Sequence, residues 1–247
     1  MELNYRKTLP ILLLAFLALA PGSLQIEPNS WRRLLNQSQQ ALLVTTPGWN
    51  SVSGTLRRFE KTAGVWKQIG ETIPIVVGKN GLAWDLALAQ VTEPTKKEGD
   101  GRSPAGIFPI GREFGFDLSN ASHGLGYLPL TDRTECVDDV KSRHYNSLVN
   151  RNEVPAPDWD SSEKMREVPG YKYGAVVDYN SKPIKGAGSC IFLHIWSGPE
   201  HGTAGCTAME ESSLRLVLES LDRRKHPILV QLPEPVFKSL RQRWRLP

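Results

Sequence analysis

A histidine and a cysteine that lie twelve residues apart form the pair with the clearest chemical potential in this sequence. His194 belongs to a short apolar run, 191–196, and Cys206 follows a glycine-containing loop. Such a run, with β-branched and aromatic residues and with Pro and Gly after it, predicts a buried strand. A thiolate is a strong nucleophile, and a neighbouring imidazole can accept the thiol proton. If the loop folds back, the pair is suited to nucleophilic catalysis.

Gly205, directly before the cysteine, supports this interpretation. Glycine permits a tight turn, and the backbone N–H groups of such a turn can hold a developing oxyanion. Simpler interpretations exist for the same residues. A lone histidine in an apolar strand is more often a hydrogen-bonded core residue, and a lone cysteine is usually a small inert apolar side chain. Spacing alone therefore leaves a catalytic pair and a structural pair equally open.

The order of strand histidine, loop and Thr203-x-Gly205-Cys206 resembles the signature of the YkuD-type L,D-transpeptidase catalytic domain. That signature is a histidine, about a dozen residues, and then Ser/Thr-His-Gly-Cys. The sequence departs from it at Ala204, where the family usually has histidine, and at Ala208, where Asn or Arg commonly follows the cysteine. These departures concern substrate contacts and the choice of acceptor.

A second likeness lies at 102–108, Arg-Ser-Pro-Ala-Gly-Ile-Phe, which resembles the family's Lys/Arg-Thr-Pro-x-Gly-x-Phe motif. We interpret this segment mainly as a turn that leads into a strand. The likeness extends over roughly 41–232 and is to an uncharacterised, exported branch of the family.

The resemblance implies a mainly β fold with minor α, a β-sandwich or barrel with a helix after the cysteine. It also implies an exported transferase that acts on peptidoglycan stem peptides. Cys206 would attack the carbonyl of the L-centre residue before a terminal D-amino acid, and His194 would carry the proton. The backbone at Gly205 would hold the oxyanion. We expect His201, Thr203 and Trp196 to contact the substrate, and we expect no metal or organic cofactor.

Three alternatives remain open. Water could resolve the thioester, which would make the protein an L,D-carboxypeptidase or endopeptidase. The departures from the signature could mark a non-catalytic module that binds the cell wall. A zinc site is the third alternative, although the spacing of its potential ligands matches no common pattern; these ligands are His194, His201, Cys190 and Cys206.

The start of the chain predicts export. Arg6 and Lys7 precede an apolar run at 9–20, which is too short to span a bilayer comfortably and is typical of a signal peptide. Small residues precede a potential cleavage site before Ser23. An uncleaved N-terminal anchor is the alternative. In both cases we expect a periplasmic or secreted protein that is associated with the cell wall.

The sequence divides into a signal peptide at 1–22, a lead segment at 23–40, a catalytic domain at 41–233 and a basic tail at 234–247. The formal net charge of +4 comes without a concentrated basic stripe, so we expect no nucleic-acid partner.

A polar region at 114–169 has the character of an irregular insertion over the active-site side. The expected regular elements are strands at 41–46, 54–59, 65–69, 73–77, 171–179 and 227–233, and an amphipathic helix at 214–221 with basic residues in its last turn.

Three cysteines are present, and all of them follow the apolar run. In an oxidising compartment an odd count implies one pair and one free thiol, and the sequence allows three pairings. If Cys206 is the nucleophile, Cys136 and Cys190 are left to bond each other. Three reduced, buried thiols are the alternative.

The apolar run generates the first testable prediction. Protein recovered from the cell envelope should begin near Ser23, because a signal peptidase cleaves after small residues that follow an apolar core. Intact-mass measurement of that protein checks the start point. A full-length mass that retains Met1 would instead identify an N-terminal anchor.

Overall fold

The computed structural model describes residues 29–88, 94–117 and 124–247. The predicted signal peptide lies outside these ranges. Within these ranges, thirteen strands and three α-helices make the protein mainly β, as predicted. No helix in the described ranges has the length and apolar character needed to cross a membrane. The elements in chain order are α1 Asn29–Gln37, β1 Gln40–Thr46, β2 Ser53–Thr62, β3 Val65–Val76, β4 Leu82–Trp84, β5 Ser103–Gly115, β6 Tyr127–Pro129, β7 Thr134–Val137, β8 Ser147–Asn150, β9 Ser162–Lys164, β10 Tyr173–Val177, β11 Phe192–Ile195, β12 Thr207–Met209, α2 Glu211–Ser220, β13 Ile228–Pro233 and α3 Glu234–Trp244.

A ten-stranded mixed sheet forms the body of the molecule, in the order β10-β11-β12-β3-β2-β1-β13-β5-β4 with β6 added beside β5. The long strand β5 pairs with β13 through residues 106–109 and with β10 through residues 110–115. The strand order therefore closes on itself through β5. Strand β1 lies between β2 and β13, and all seven of its residues are buried, which explains its almost continuous apolar sequence.

One predicted boundary inside the sheet is wrong. The sequence predicts two strands at 65–69 and 73–77, but the structure has the single strand β3. Gly70, with φ of +65°, adopts a left-handed conformation that glycine tolerates without strain. On the partner strand the register shifts between Leu56 and Arg58. The glycine therefore marks an irregularity within a continuous strand pair, and it does not end the strand.

The region at 114–169 is also more regular than expected. Within it β7, β8 and β9 form a separate three-stranded sheet, here called the small sheet, in the order β8-β7-β9. Its buried Glu135 accepts hydrogen bonds from Trp159 Nε1 at 2.7 Å, Ser162 Oγ at 2.8 Å and Lys164 Nζ at 2.5 Å. Burial acts to raise the pKa of this carboxyl, but the hydrogen bonds outweigh burial and lower the pKa to about 2. The charged Glu135 thus stabilises a sheet in a segment whose polar sequence predicts a loop.

The two ends of the described chain belong to the main domain. The predicted basic tail is the helix α3, whose Phe237 is buried, and Leu246 after it is buried too. The indole of Trp244 stacks on Trp31 of α1 with ring centroids 4.3 Å apart. This helix has an apolar face in addition to its basic side chains. The basic composition of the tail therefore did not predict that the tail packs on the core.

A disulfide between Cys136 of β7 and Cys190, just before β11, joins the small sheet to the main sheet. Their Cα atoms are 6.0 Å apart and 54 positions separate them in sequence. Cys206 is the remaining free cysteine, and it is buried.

The disulfide generates the second prediction. Cys136→Ala and Cys190→Ala should each lower the free energy of unfolding by about 4 kcal/mol, because opening a loop of this length restores entropy to the unfolded chain. The double variant should lose no more than either single variant. Urea unfolding with and without a reductant measures these changes. A reductant should destabilise the native protein and leave the double variant unaffected; an equal response of both proteins would contradict the prediction.

Candidate active site

The parallel pairing of β11 with β12 determines which side chains meet. Leu193 lies opposite Thr207, and Ile195 lies opposite Met209. Side chains alternate between the two faces of a strand, and partners in register share a face. Leu193 and Met209 accordingly pack in the main core. The opposite face of β11 belongs to a second apolar cluster, which contains Phe114, Leu130, Cys136, Met165, Tyr171, Cys190, Phe192 and Cys206.

The same register brings the predicted pair to one face. His194 lies opposite Ala208, and Cys206 directly precedes β12. Cys206 belongs to the second apolar cluster, and His194 contacts Tyr171 of that cluster, so both residues lie on the same side of the sheet. The Phe192 N–H donates to Cys206 Sγ at 3.3 Å, which fixes the sulfur beside β11. The loop between the strands therefore folds back, and it brings the thiol beside the strand that carries His194.

His194 has a defined tautomer. Its Nδ1 lies 2.7 Å from the carbonyl oxygen of Ile195, and because a carbonyl oxygen can only accept, Nδ1 carries the proton. Nε2 of the neutral ring therefore carries no proton. Burial lowers the pKa of His194, and the hydrogen bond to Ile195 only partly offsets this effect. Gly170 makes the arrangement possible, since a Cβ at that position would lie 2.5 Å from the Ile195 oxygen.

The Cys206 thiol is not an activated nucleophile in this conformation. It donates to the Cys190 carbonyl oxygen at 3.4 Å, and no hydrogen bond joins it to His194 among the described residues. Burial raises the pKa of the thiol, and the charge of Glu163 raises it further. A helix start near a cysteine lowers the pKa of its thiol. Here that effect is absent, because β12 lies between Cys206 and α2 and the Glu210 carboxylate caps the helix.

The loop before the cysteine is held by side-chain hydroxyls. Thr203 Oγ1 donates to the Cys206 carbonyl at 2.7 Å and accepts the Gly205 N–H at 3.1 Å. The predicted oxyanion donor at Gly205 is therefore already used. Ser103 Oγ also donates to the Cys206 carbonyl, at 2.8 Å. Ser103 belongs to the segment that we interpreted mainly as a turn, but it begins β5 and contacts the site directly.

Trp196 and His201, which the sequence predicts to contact the substrate, lie before Thr203 in the chain. Trp196 is half-buried, and its backbone N–H donates to the Met209 carbonyl at 2.9 Å. His201 is exposed in a turn that its N–H closes with the Gly198 carbonyl. No hydrogen bond or ring contact connects either side chain to Cys206 in the described part of the chain. The zinc alternative loses Cys190 as a ligand, because its sulfur is in the disulfide.

Sequence reasoning missed Tyr171 and Glu163. Tyr171, in a short 3-10 turn before β10, donates its hydroxyl proton to Glu163 Oε2 at 2.7 Å. Its ring meets His194 edge-on with centroids 5.2 Å apart, and it belongs to the same apolar cluster as Cys206. The aromatic residues in the predicted strand 171–179 were the available signal for Tyr171. No local pattern distinguished Glu163 from its exposed neighbours.

The thiol is covered in this structure. Cavities of about 210, 180 and 350 Å³ lie along the described part of the chain, and His194 and Cys206 line none of them. The first of these cavities lies beside the disulfide and is lined by Phe192, on the strand that carries His194. A substrate that reaches the sulfur must therefore displace some of the side chains that cover it.

Comparison with known proteins identifies no relative: no family model, no curated protein and no solved structure matches the chain. Assignment of a function therefore rests on the residues and their geometry.

The hydroxyl of Thr203 generates the third prediction. Thr203→Val should lower the free energy of unfolding by about 1–3 kcal/mol, because it leaves the buried Gly205 N–H without its partner. Thr203→Ser keeps the hydroxyl and serves as the matched control, with a much smaller loss. Urea unfolding compares the two. Equal stability of the Val variant and the native protein would show that this hydrogen bond does not hold the loop.

Proposed function

We propose that this protein is an exported cysteine acyltransferase of the L,D-transpeptidase type that acts on peptidoglycan stem peptides. The observation that carries the proposal is the position of His194 and Cys206 on the same side of the sheet. Cys206 directly precedes β12 and shares an apolar cluster with Tyr171, whose ring contacts His194. The His194 tautomer adds support, because Nε2 is the nitrogen left to exchange protons. The likeness to the family signature at Thr203, Gly205 and Cys206 supplies the substrate class.

The reaction follows from these groups. The Cys206 thiolate attacks the carbonyl of the L-centre residue that precedes a terminal D-amino acid, and a thioester forms as the D-amino acid leaves. His194 is the predicted acceptor of the thiol proton and gives a proton to the leaving amine. An amine of a second stem peptide then attacks the thioester and releases Cys206. Backbone N–H groups are suited to hold the oxyanion, but the Gly205 N–H must first leave Thr203 Oγ1.

The arrangement of the cysteines supports an exported location. A disulfide between Cys136 and Cys190 is the form expected in an oxidising compartment, and the one thiol that it leaves is Cys206. The periplasm or the cell surface provides such conditions and also contains the proposed substrate.

The fourth prediction tests the chemistry. Purified protein incubated with disaccharide tetrapeptides from peptidoglycan should release the terminal D-amino acid and form crosslinked dimers, which mass spectrometry of the products detects. Cys206→Ala and His194→Ala should each abolish turnover, and the double variant should be no worse, because the two residues act as a unit. Hydrolysed tripeptides without dimers would identify the carboxypeptidase alternative.

His226→Asn is the matched control for the loss of an imidazole. His226 is exposed and has φ of +48°, a left-handed conformation that asparagine accepts. This variant should retain full turnover. Substantial activity in Cys206→Ala would refute the mechanism, and a protein that binds peptidoglycan without changing it would be a wall-binding module.

A further inference from the structure

The cavities of about 210, 180 and 350 Å³ join into one continuous groove. The first and third cavities share Leu148, Val176 and Asp178 as lining residues. The second and third cavities share Ile110 and Arg223. A single extended ligand can therefore occupy all three cavities.

The groove crosses four neighbouring strands of the main sheet. It runs from β11 over β10 and β5 to β13, and these strands pair with each other in that order. Neighbouring strands lie about 4.8 Å apart, so the three steps span roughly 14 Å. An extended chain rises about 3.3 Å per residue. The groove therefore has the length of a peptide of about four residues.

The charged side chains follow one another along the groove. Asp178 lines the first and third cavities, Arg112 lines the third, and Arg223 lines the third and the second. His226 lies at the far end, in the second cavity. No ion pair joins the carboxylate to either arginine in the described part of the chain. A negative charge therefore lies toward the first cavity, and two unpaired positive charges lie toward the second.

The Asp178 carboxylate lies at the junction of two cavities. A Cβ at Gly111 would lie 2.9 Å from Asp178 Oδ1, so this glycine leaves the space that the carboxylate occupies. The side chain is open to solvent, but the surrounding protein still raises the pKa of its carboxyl by desolvation. A nearby opposite charge favours the ionised form of a carboxyl group. An ammonium group of a ligand would therefore be stabilised at this point of the groove.

The Asp178 side of the groove lies beside the thiol. Phe192 lines the first cavity, and its N–H donates to Cys206 Sγ at 3.3 Å. Cys190 lines the same cavity, and its carbonyl oxygen accepts the hydrogen bond of the thiol. The residues that hold the sulfur thus also border the part of the groove that contains the carboxylate.

We propose that this groove binds the acceptor of the transfer reaction, a short peptide that carries a free amine and a carboxylate. Asp178 binds the ammonium group, and Arg112 and Arg223 bind the carboxylate. This orientation directs the amine toward Cys206 and the carboxylate away from it. The three side chains are positioning residues and take no part in bond formation. The role as an acceptor site rests on the proposed function, whereas the binding of such a peptide does not.

The fifth prediction concerns binding to Cys206→Ala, which lacks the thiol and leaves the ligand intact. Isothermal titration with a disaccharide tetrapeptide that has a free side-chain amine should give a measurable Kd. Arg112→Gln, Arg223→Gln and Asp178→Asn, each added to Cys206→Ala, should raise that Kd about fivefold, the upper range for one exposed ion pair.

Modified ligands identify which charge each side chain binds. Acetylation of the amine should raise the Kd about fivefold in the parent and leave Asp178→Asn unaffected, because the two changes remove the same interaction. Amidation of the carboxylates should weaken binding to the parent. It should have no further effect when Arg112→Gln and Arg223→Gln are combined.

Two variants with exposed charges serve as matched controls. Arg224 lines none of the three cavities, and its Nη2 lies 2.7 Å from Asp222 Oδ2. Asp160 is exposed and also lies outside the groove. Arg224→Gln and Asp160→Asn should bind the ligand as the parent does. No measurable binding to the parent, an unchanged Kd in the groove variants, or independent effects of acetylation and Asp178→Asn would overturn the proposal.

Product analysis separates the acceptor site from the proposed function. In protein that retains Cys206, the groove variants should form fewer crosslinked dimers and more hydrolysed tripeptides, because the acceptor is bound less often. Turnover with the same ratio of products in these variants would refute the acceptor site and keep the proposed function. Binding that depends on the groove charges, without any turnover by the native protein, would refute the proposed function and keep the peptide site.

Discussion

The parallel pairing of β11 with β12 is the constraint on which the candidate site depends. Because partners in register share a face, this pairing sends Leu193 and Met209 into the main core and places His194 and Cys206 together on the other side. A shift of one residue would reverse both faces and separate the imidazole from the thiol. The hydroxyls of Thr203 and Ser103 meet at the Cys206 carbonyl and fix the end of the loop at the required point.

Burial of Cys206 disfavours the thiolate form of its side chain. The same apolar cluster that holds Cys206 beside Phe192 removes the sulfur from water and raises the pKa of the thiol. A helix start directly after the cysteine would have the opposite effect on the pKa, but β12 lies there instead, and the Glu210 carboxylate caps the helix. Two other ionisable side chains border this cluster: the His194 ring meets Tyr171 edge-on, and Glu163 accepts a hydrogen bond from the Tyr171 hydroxyl.

The small sheet contributes to the site through the disulfide. Cys136 of β7 is paired with Glu163 of β9, and its sulfur is bonded to Cys190. The carbonyl oxygen of Cys190 accepts a hydrogen bond from the Cys206 thiol. Three connections of different kinds, a strand pairing, a covalent bond and a hydrogen bond, thus link the small sheet to the thiol. Glu135, held by Trp159, Ser162 and Lys164, keeps that sheet ordered in spite of its polar sequence.

The sequence by itself determined the local elements and one chemical pair. The apolar run around His194, the strands at β1 and β13 and the amphipathic face of α2 follow from residue periodicity, which depends only on near neighbours. Only the tertiary structure decided that Gly70 leaves β3 unbroken, that the basic C-terminal segment packs as α3, and that Tyr171, hydrogen-bonded to Glu163, packs in the cluster of Cys206. These outcomes depend on which distant surfaces come together. Strands β10 and β11 lie between Glu163 and Cys206 in sequence, and no local pattern encodes the register and the disulfide that join their parts of the fold.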